Sequence, residues 1–109
     1  MDLEQYTDKA KETMVEAMES ARALDHQAIT IAHVMKAILL NNKKRFRKLI
    51  ELVGGNYYWV IQETDKILIS LPRVEGHKNL FIDANLSESI KNAEIYAPRF
   101  GDKFVGLEA

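Results

Sequence analysis

Apolar side chains recur every three or four residues through the first 24 positions, the spacing that places them on one face of an α-helix. These positions are Tyr6, Ala10, Met14, Ala17, Ala21 and Leu24. Half of them are alanines, whose small side chains let a neighbouring helix approach closely. Because charged residues occupy the other faces, we predict one long amphipathic helix over residues 3–24, with Thr7 or Asp2 as its N-cap.

Further helices are predicted from the same periodicity and from residues that begin or end helices. Thr30 and Asn56 are suitable N-caps for a second and a fourth helix, with a third helix between them. Gly54 and Gly55 are expected to end the third helix, and Pro72 is expected to end the fourth. The third helix is predicted to bury an apolar stripe made of Phe46, Leu49, Ile50 and Val53.

The second half of the chain repeats features of the first at an offset of 76 residues, the separation of His26 and Asp102. At this offset three identities occur, and two of them are alanines of the first apolar stripe. We therefore predict one all-α domain over 1–109, built from two pseudo-repeats of short packed helices with the second repeat truncated. An incomplete repeat would leave a helical surface uncovered, so self-association is a hypothesis. The predicted segments are repeat 1 at about 1–72, a linker at about 73–84 and partial repeat 2 at about 85–109. The linker is predicted to have extended structure around Leu80–Ile82. Partial repeat 2 is predicted to contain a fifth helix over about Ser87–Phe100 and the start of a sixth at Val105–Glu108.

Length and composition exclude several classes of protein. The chain has 109 residues, enough for one core. Its formal net charge of −1 gives no overall field that would recruit nucleic acid or an acidic membrane. Cysteine is absent, which excludes disulfides and thiolate chemistry, and the longest apolar runs are far shorter than the ~20 residues of a membrane span. The polar N-terminus does not resemble a signal peptide, so we expect a cytoplasmic protein.

No catalytic, cofactor-binding or metal-binding motif is found. Gly54 and Gly55 are not followed by the lysine and hydroxyl residue of a phosphate-binding loop. The three histidines, His26, His33 and His77, lack the spacing of a ligand set and are interpreted as structural residues. We expect this chain to be no enzyme.

Five stretches of sequence, taken in order, resemble the Clp N-terminal (Clp repeat) domain of AAA+ unfoldases. They are YTDKAKETMVEAMESARALDHQAIT, AHVMKAIL, LIELVGGN, LPRVEG and GDKFVGLEA, and LPRVEG is most similar to the ClpB type of disaggregase. The resemblance implies a double Clp-N fold and a non-catalytic domain that captures unfolded or aggregated polypeptide during the stress response. It also implies that ATP and Mg belong to ATPase modules of a longer parent chain, whose ring would be the partner of this domain.

The resemblance further implies a binding site for polypeptide. Its polar positions, at the starts of helices, correspond to Thr7, Asp83, Asp102 and Glu108, and an apolar groove corresponds to the region of Tyr96, Leu107 and Ala109. Two features depart from the family pattern. Asp83 stands where a serine is frequent, and Asn92 and Ala109 stand where larger apolar residues would line the groove. We therefore expect a groove that is shallower or more polar than in the family.

A basic cluster supports an alternative function. It could make the chain a small helical protein that binds nucleic acid or an adaptor through the helix at residues 43–48. Against this, the apolar residues of the same helix suggest that the cations are only its solvated face, and no aromatic stacking platform is expected beside them. The basic residues are Lys43, Lys44, Arg45, Arg47 and Lys48.

The aromatic run at residues 57–59 cannot point inward as a whole, so one or two of its rings should be exposed.

Overall fold

The computed structural model describes residues 7–76 and 79–100, with side chains in the second range described as far as residue 93. Within these ranges helices dominate, which confirms the predicted all-α class, and the two strands are two residues long. The predicted sixth helix lies outside the described residues. The elements in chain order are α1 (Asp8–Ala23), β1 (Ala28–Ile29), α2 (Ile31–Asn41), α3 (Lys43–Leu52), α4 (Tyr57–Ser70), β2 (Phe81–Ile82) and α5 (Ala84–Phe100).

Helix α1 begins and ends with well-defined caps. Thr7 is its N-cap, and the Thr7 hydroxyl accepts a hydrogen bond from the backbone N–H of Ala10 at 3.2 Å. At the other end Asp25 adopts a left-handed φ of 58°, and the His26 N–H donates to the Ala21 carbonyl at 2.8 Å. This is the Schellman arrangement, which turns the chain sharply toward β1.

The main core forms where α1 meets the two short strands and α5. Ala17 and Ala21 of α1 are fully buried, and they cluster with Ile29 of β1 and Leu86 of α5. Half-buried apolar side chains surround this cluster: Met18, Val34, Leu80, Ile82 and Ile90. Two alanines of the predicted stripe therefore lie in this core.

The strands β1 and β2 pair in parallel, with Ala28 opposite Phe81 and Ile29 opposite Ile82. The pairing continues for one residue because the Asp83 N–H donates to the Ile29 carbonyl at 2.9 Å. The extended structure predicted near residues 80–82 is thus present as β2. It leads into α5, the helix that is predicted to open the second repeat.

The offset of 76 residues also relates the starts of two helices. Helix α1 begins at Asp8 and α5 at Ala84, and the buried Ala10 and Leu86 occupy the same relative position. Helix α5 begins three residues before the predicted Ser87, because the chain passes directly from strand to helix at Asp83. The exact limits of the two repeats and of the linker stay predictions.

A second packing region joins α2 to α4. Tyr57 is buried, and its hydroxyl donates to the Leu39 carbonyl at 2.6 Å. Asn56 caps α4 as predicted, with its side-chain oxygen accepting from the Trp59 N–H at 3.0 Å. An ion pair between Lys36 and Asp65 links the same two helices.

Helix α3 is less buried than predicted. It has no buried residue, and Leu49 and Val53 are 50% and 84% exposed, so their assignment to the core is wrong. The reason is geometric, because α3 packs chiefly against α2 and α4 on one flank. Only Phe46 and Ile50, four residues apart, are partly covered. Gly54 ends the helix as predicted, with a φ of 87°.

In the ranges given above, no helix combines the length and the apolar character needed to cross a membrane.

The buried alanines give a test of the core. Replacing Ala21 by leucine should lower the free energy of unfolding by about 1–3 kcal/mol, because added methyl groups overpack a closely fitted site. The same substitution at Ala23, an exposed residue of the same helix, should change it by less than about 0.5 kcal/mol. Urea unfolding of both variants measures the difference. Equal stabilities would show that α1 is not tightly packed at Ala21.

Candidate functional site

Two of the predicted site residues are helix N-caps, as their predicted position at helix starts requires. Thr7 opens α1, as described above. Asp83 opens α5, and its carboxylate accepts from the Asn85 N–H at 3.0 Å while its own carbonyl accepts from the Ser87 N–H at 2.9 Å. Both side chains are half-buried. The structure therefore fixes their positions, and their role in binding stays a prediction.

The remaining predicted site residues lie in the second half of α5 or beyond it. Tyr96 lies in α5 within the part whose side chains are not described. Asp102, Leu107, Glu108 and Ala109 lie outside the described residues. Asn92, expected near the groove, is an exposed residue of α5.

A neighbouring apolar side chain was missed by sequence reasoning. Phe81 in β2 is 54% exposed, whereas Ile82 packs toward the core. Since side chains alternate along a strand, Phe81 and Asp83 lie on the same side of the extended segment. A large apolar ring and a carboxylate therefore occur next to each other at the start of α5. The alternation of residues 81–83 was the signal that could have identified this pair.

A cleft of about 510 Å³ opens between α1, α2 and α4. Its apolar lining comes from Leu24, Ala37, Leu40, Leu68 and Ile69, and its polar lining includes two histidines and the Lys36–Asp65 ion pair. Sequence analysis did not predict this cleft, because it depends on the relative placement of three helices. Its lining carries both signs of charge.

Two buried histidines lie beside the cleft and are hydrogen-bonded to each other. His26 Nδ1 and His33 Nε2 are 2.8 Å apart, and the Thr30 N–H donates to His33 Nδ1 at 2.9 Å. Because His33 Nδ1 accepts a hydrogen bond, its proton is on Nε2, which donates to His26. This network fixes the tautomer of His33 and joins the end of α1 to the start of α2. The predicted structural role of both histidines agrees with these contacts, and His77 lies outside the described residues.

The surroundings of the pair favour the neutral form of both rings. Burial, followed by the nearby charge of His26, lowers the pKa of His33 from 6.5 to about 4. Burial also lowers the pKa of His26, with a further contribution from Arg73 that Asp25 opposes. Among the residues described, no group of three or more histidine, aspartate or glutamate side chains could hold a metal ion. That the chain needs no cofactor stays a prediction.

The basic cluster on α3 has an aromatic neighbour. The Lys43 ammonium lies 5.2 Å from the centre of the Tyr58 ring, and the Arg47 guanidinium lies 5.4 Å from it. An aromatic ring thus adjoins these cations, where the sequence analysis expected no aromatic stacking platform. Tyr57 is buried while Tyr58 and Trp59 are exposed, in agreement with the prediction for the aromatic run.

The fold and the capped helix starts define a helical repeat domain, and comparison with known proteins identifies its class. Residues 5–109 match the Clp repeat (R) N-terminal domain, and the chain belongs to this family.

The chain is similar to several ClpB chaperones. It is 32% identical over 109 residues to chaperone protein ClpB of Rhizobium meliloti and 30% identical over 109 residues to that of Mesorhizobium japonicum. It is 28% identical over 105 residues to the mitochondrial chaperone protein ClpB3 of Oryza sativa subsp. japonica. These matches cover 99%, 99% and 95% of this chain. The chain spans only 13% of the length of the two bacterial proteins and 11% of that of the rice protein.

The histidine pair predicts a pH dependence of stability. A histidine whose pKa is lower in the folded state than in the unfolded state stabilises the fold above pH 6.5, and this contribution is lost as the pH falls toward 4. Between pH 7.5 and pH 5, His33 should therefore account for a loss of about 2 kcal/mol in the free energy of unfolding.

The variant His33→Gln is the matched control, because glutamine can still accept from the Thr30 N–H and donate to His26 but does not titrate. Urea unfolding at both pH values should show a smaller loss for the variant than for the wild type. Identical losses would mean that His33 is not buried in its neutral form.

Proposed function

We propose that this chain is the non-catalytic substrate-recognition domain of an ATP-dependent ClpB-type chaperone, and that it binds unfolded or aggregated polypeptide for disaggregation in the cytoplasm. The observation that carries the proposal is the match of residues 5–109 to the Clp repeat (R) N-terminal domain. ATP and Mg would act in separate ATPase modules, and their ring would be the partner of this domain.

The start of α5 supports a role in holding an extended chain. Phe81 offers an apolar surface to a client side chain, and Asp83 adds a carboxylate on the same side of β2. A carboxylate can accept a hydrogen bond from a backbone N–H of the client, whatever the client sequence is. Together with Thr7 at the start of α1, these groups combine apolar contact with polar contacts to the main chain.

Binding through such groups should be weak. Each apolar side chain that becomes buried contributes about 1.5–3 kcal/mol, and the loss of freedom on association offsets much of this. Weak binding suits a domain that must release its client to a translocating ring. The proposal therefore requires several contacts of low specificity.

The polar positions can be tested with the double variant Thr7→Ala, Asp102→Ala. We expect its affinity for a permanently unfolded probe without net charge, fluorescently labelled carboxamidomethylated insulin B chain, to fall by at least about fivefold, since two lost hydrogen bonds together contribute about 1–3 kcal/mol. Fluorescence anisotropy measures the affinity. The conservative variant Thr7→Ser, Asp102→Glu should bind more tightly than the alanine variant.

Helicity must be measured alongside, because the loss of the Thr7 cap costs about 1 kcal/mol. A double alanine variant that retains its circular dichroism spectrum and binds the probe like the wild type would remove both residues from the site.

The alternative function, binding through the basic helix, makes a different prediction. Replacing Lys44, Arg45 and Lys48 by glutamate should leave the affinity for the unfolded probe within about twofold, because the proposed contacts lie at helix starts and not on α3. Two of the three positions lie in the first turn of α3, where acidic residues are favourable, and all three side chains are exposed, so this variant should fold. If it no longer binds the unfolded probe, the basic helix is the client site and the proposed location is wrong.

A further inference from the structure

The outward face of α3 combines positive charge with exposed leucines. Five of the fifteen cationic residues of the chain lie in this ten-residue helix, which contains a single carboxylate, Glu51. The chain as a whole is slightly acidic, so the concentration of charge on α3 is local.

These cations fall into two groups. Lys43 and Arg47 lie over the Tyr58 ring, and Arg47 also pairs with Glu51 at 2.8 Å. The other three, Lys44, Arg45 and Lys48, are exposed and form no ion pair with any residue in the described ranges. Three positive charges are therefore available to a partner.

The exposed leucines lie in the same rows as these three cations. Residues four apart are neighbours on a helix surface, so Lys44, Lys48 and Leu52 form one row, and Arg45 and Leu49 form the adjacent row. Leu52 is 81% exposed and Leu49 is 50% exposed, so no element within the described residues covers this face. We call these five residues the α3 face.

We infer that the α3 face is a docking surface for an acidic amphipathic segment of another polypeptide, separate from the client site. Carboxylates on such a segment would pair with the three available cations, and its apolar side chains would cover Leu49 and Leu52. The partner segment must offer both carboxylates and apolar side chains, because cations and leucines lie in the same two rows of α3.

A nucleic acid fits this face less well. Phosphate groups would neutralise the cations but would leave the two leucines in contact with water. Stacking of bases requires an aromatic platform, and the adjoining Tyr58 ring already lies beneath Lys43 and Arg47. The α3 face thus favours a polypeptide partner.

The test uses the intact 109-residue chain and three labelled probes: an 18-residue peptide with leucines at helical spacing among glutamates, an 18-residue polyglutamate, and a 16-base-pair DNA duplex. We expect the amphipathic peptide to bind with a Kd of about 10–100 μM at 0.1 M salt. Polyglutamate and the duplex should each bind at least about tenfold more weakly. Tighter binding of the duplex, or equal binding of polyglutamate, would overturn the inference, as would the absence of binding by all three probes.

Variants locate the binding surface. Replacing Lys44, Arg45 and Lys48 by glutamate should weaken binding of the amphipathic peptide at least about tenfold, and Leu49→Ser with Leu52→Ser should weaken it about fivefold or more. The control replaces Lys11, Arg22 and Lys91 by glutamate, which makes the same change in net charge on α1 and α5. This control should retain at least half of the affinity. An equal loss in the control would show that only the overall charge matters and would overturn the inference.

The outcome is independent of the client site. Failure of the amphipathic peptide to bind the α3 face leaves binding of the unfolded probe intact, and failure of client binding leaves the docking experiment valid.

Discussion

The close packing of two alanines on α1 is the constraint on which the rest of the fold depends. Ala17 and Ala21 are fully buried because Ile29 and Leu86 approach the helix backbone at these points. Larger side chains would push β1 and α5 away from α1. The strand pairing of β1 with β2 would then be lost as well, because β1 follows directly from the capped end of α1 and β2 leads directly into α5. A single small contact area thus holds together residues that are far apart in sequence.

The sequence predicted the helices well where the local signals and the packing agree. The caps at Thr7, Thr30 and Asn56 are where the sequence indicated, because a side chain that satisfies its own helix start needs no tertiary information. The burial of α3 was predicted wrongly for a related reason. Its apolar periodicity is correct, yet a helix with partners on one flank covers only the residues that face them.

The candidate site was predictable only in part. Asp83 was placed at a helix start, and the strand that precedes it makes this position rigid, but the exposure of Phe81 depends on the pairing of β2 with a distant strand. The cleft between three helices has no sequence signature at all. Its buried histidines, seven residues apart, meet only because the Schellman turn at Asp25 reverses the chain between α1 and β1.

The charges of the cleft and of the α3 face are organised differently. Two neutral histidines adjoin the cleft, and Lys36 beside it is already paired with Asp65. A charged ligand would therefore have to compete with internal partners. The α3 face has the opposite character, since three of its cations lack an ion-pair partner among the described residues.

This difference also determines which surface can vary without loss of the fold. Asp83 donates its backbone N–H to β1 and caps α5, so a change of conformation there would disturb both the strand pairing and the helix start. Helix α3 contributes no buried residue, so substitutions on its outward face cost little stability. Under the proposed function, this division would keep the start of α5 rigid while the α3 face could vary. A rigid start of α5 and a variable α3 face fit within 109 residues because core packing and surface charge involve different residues.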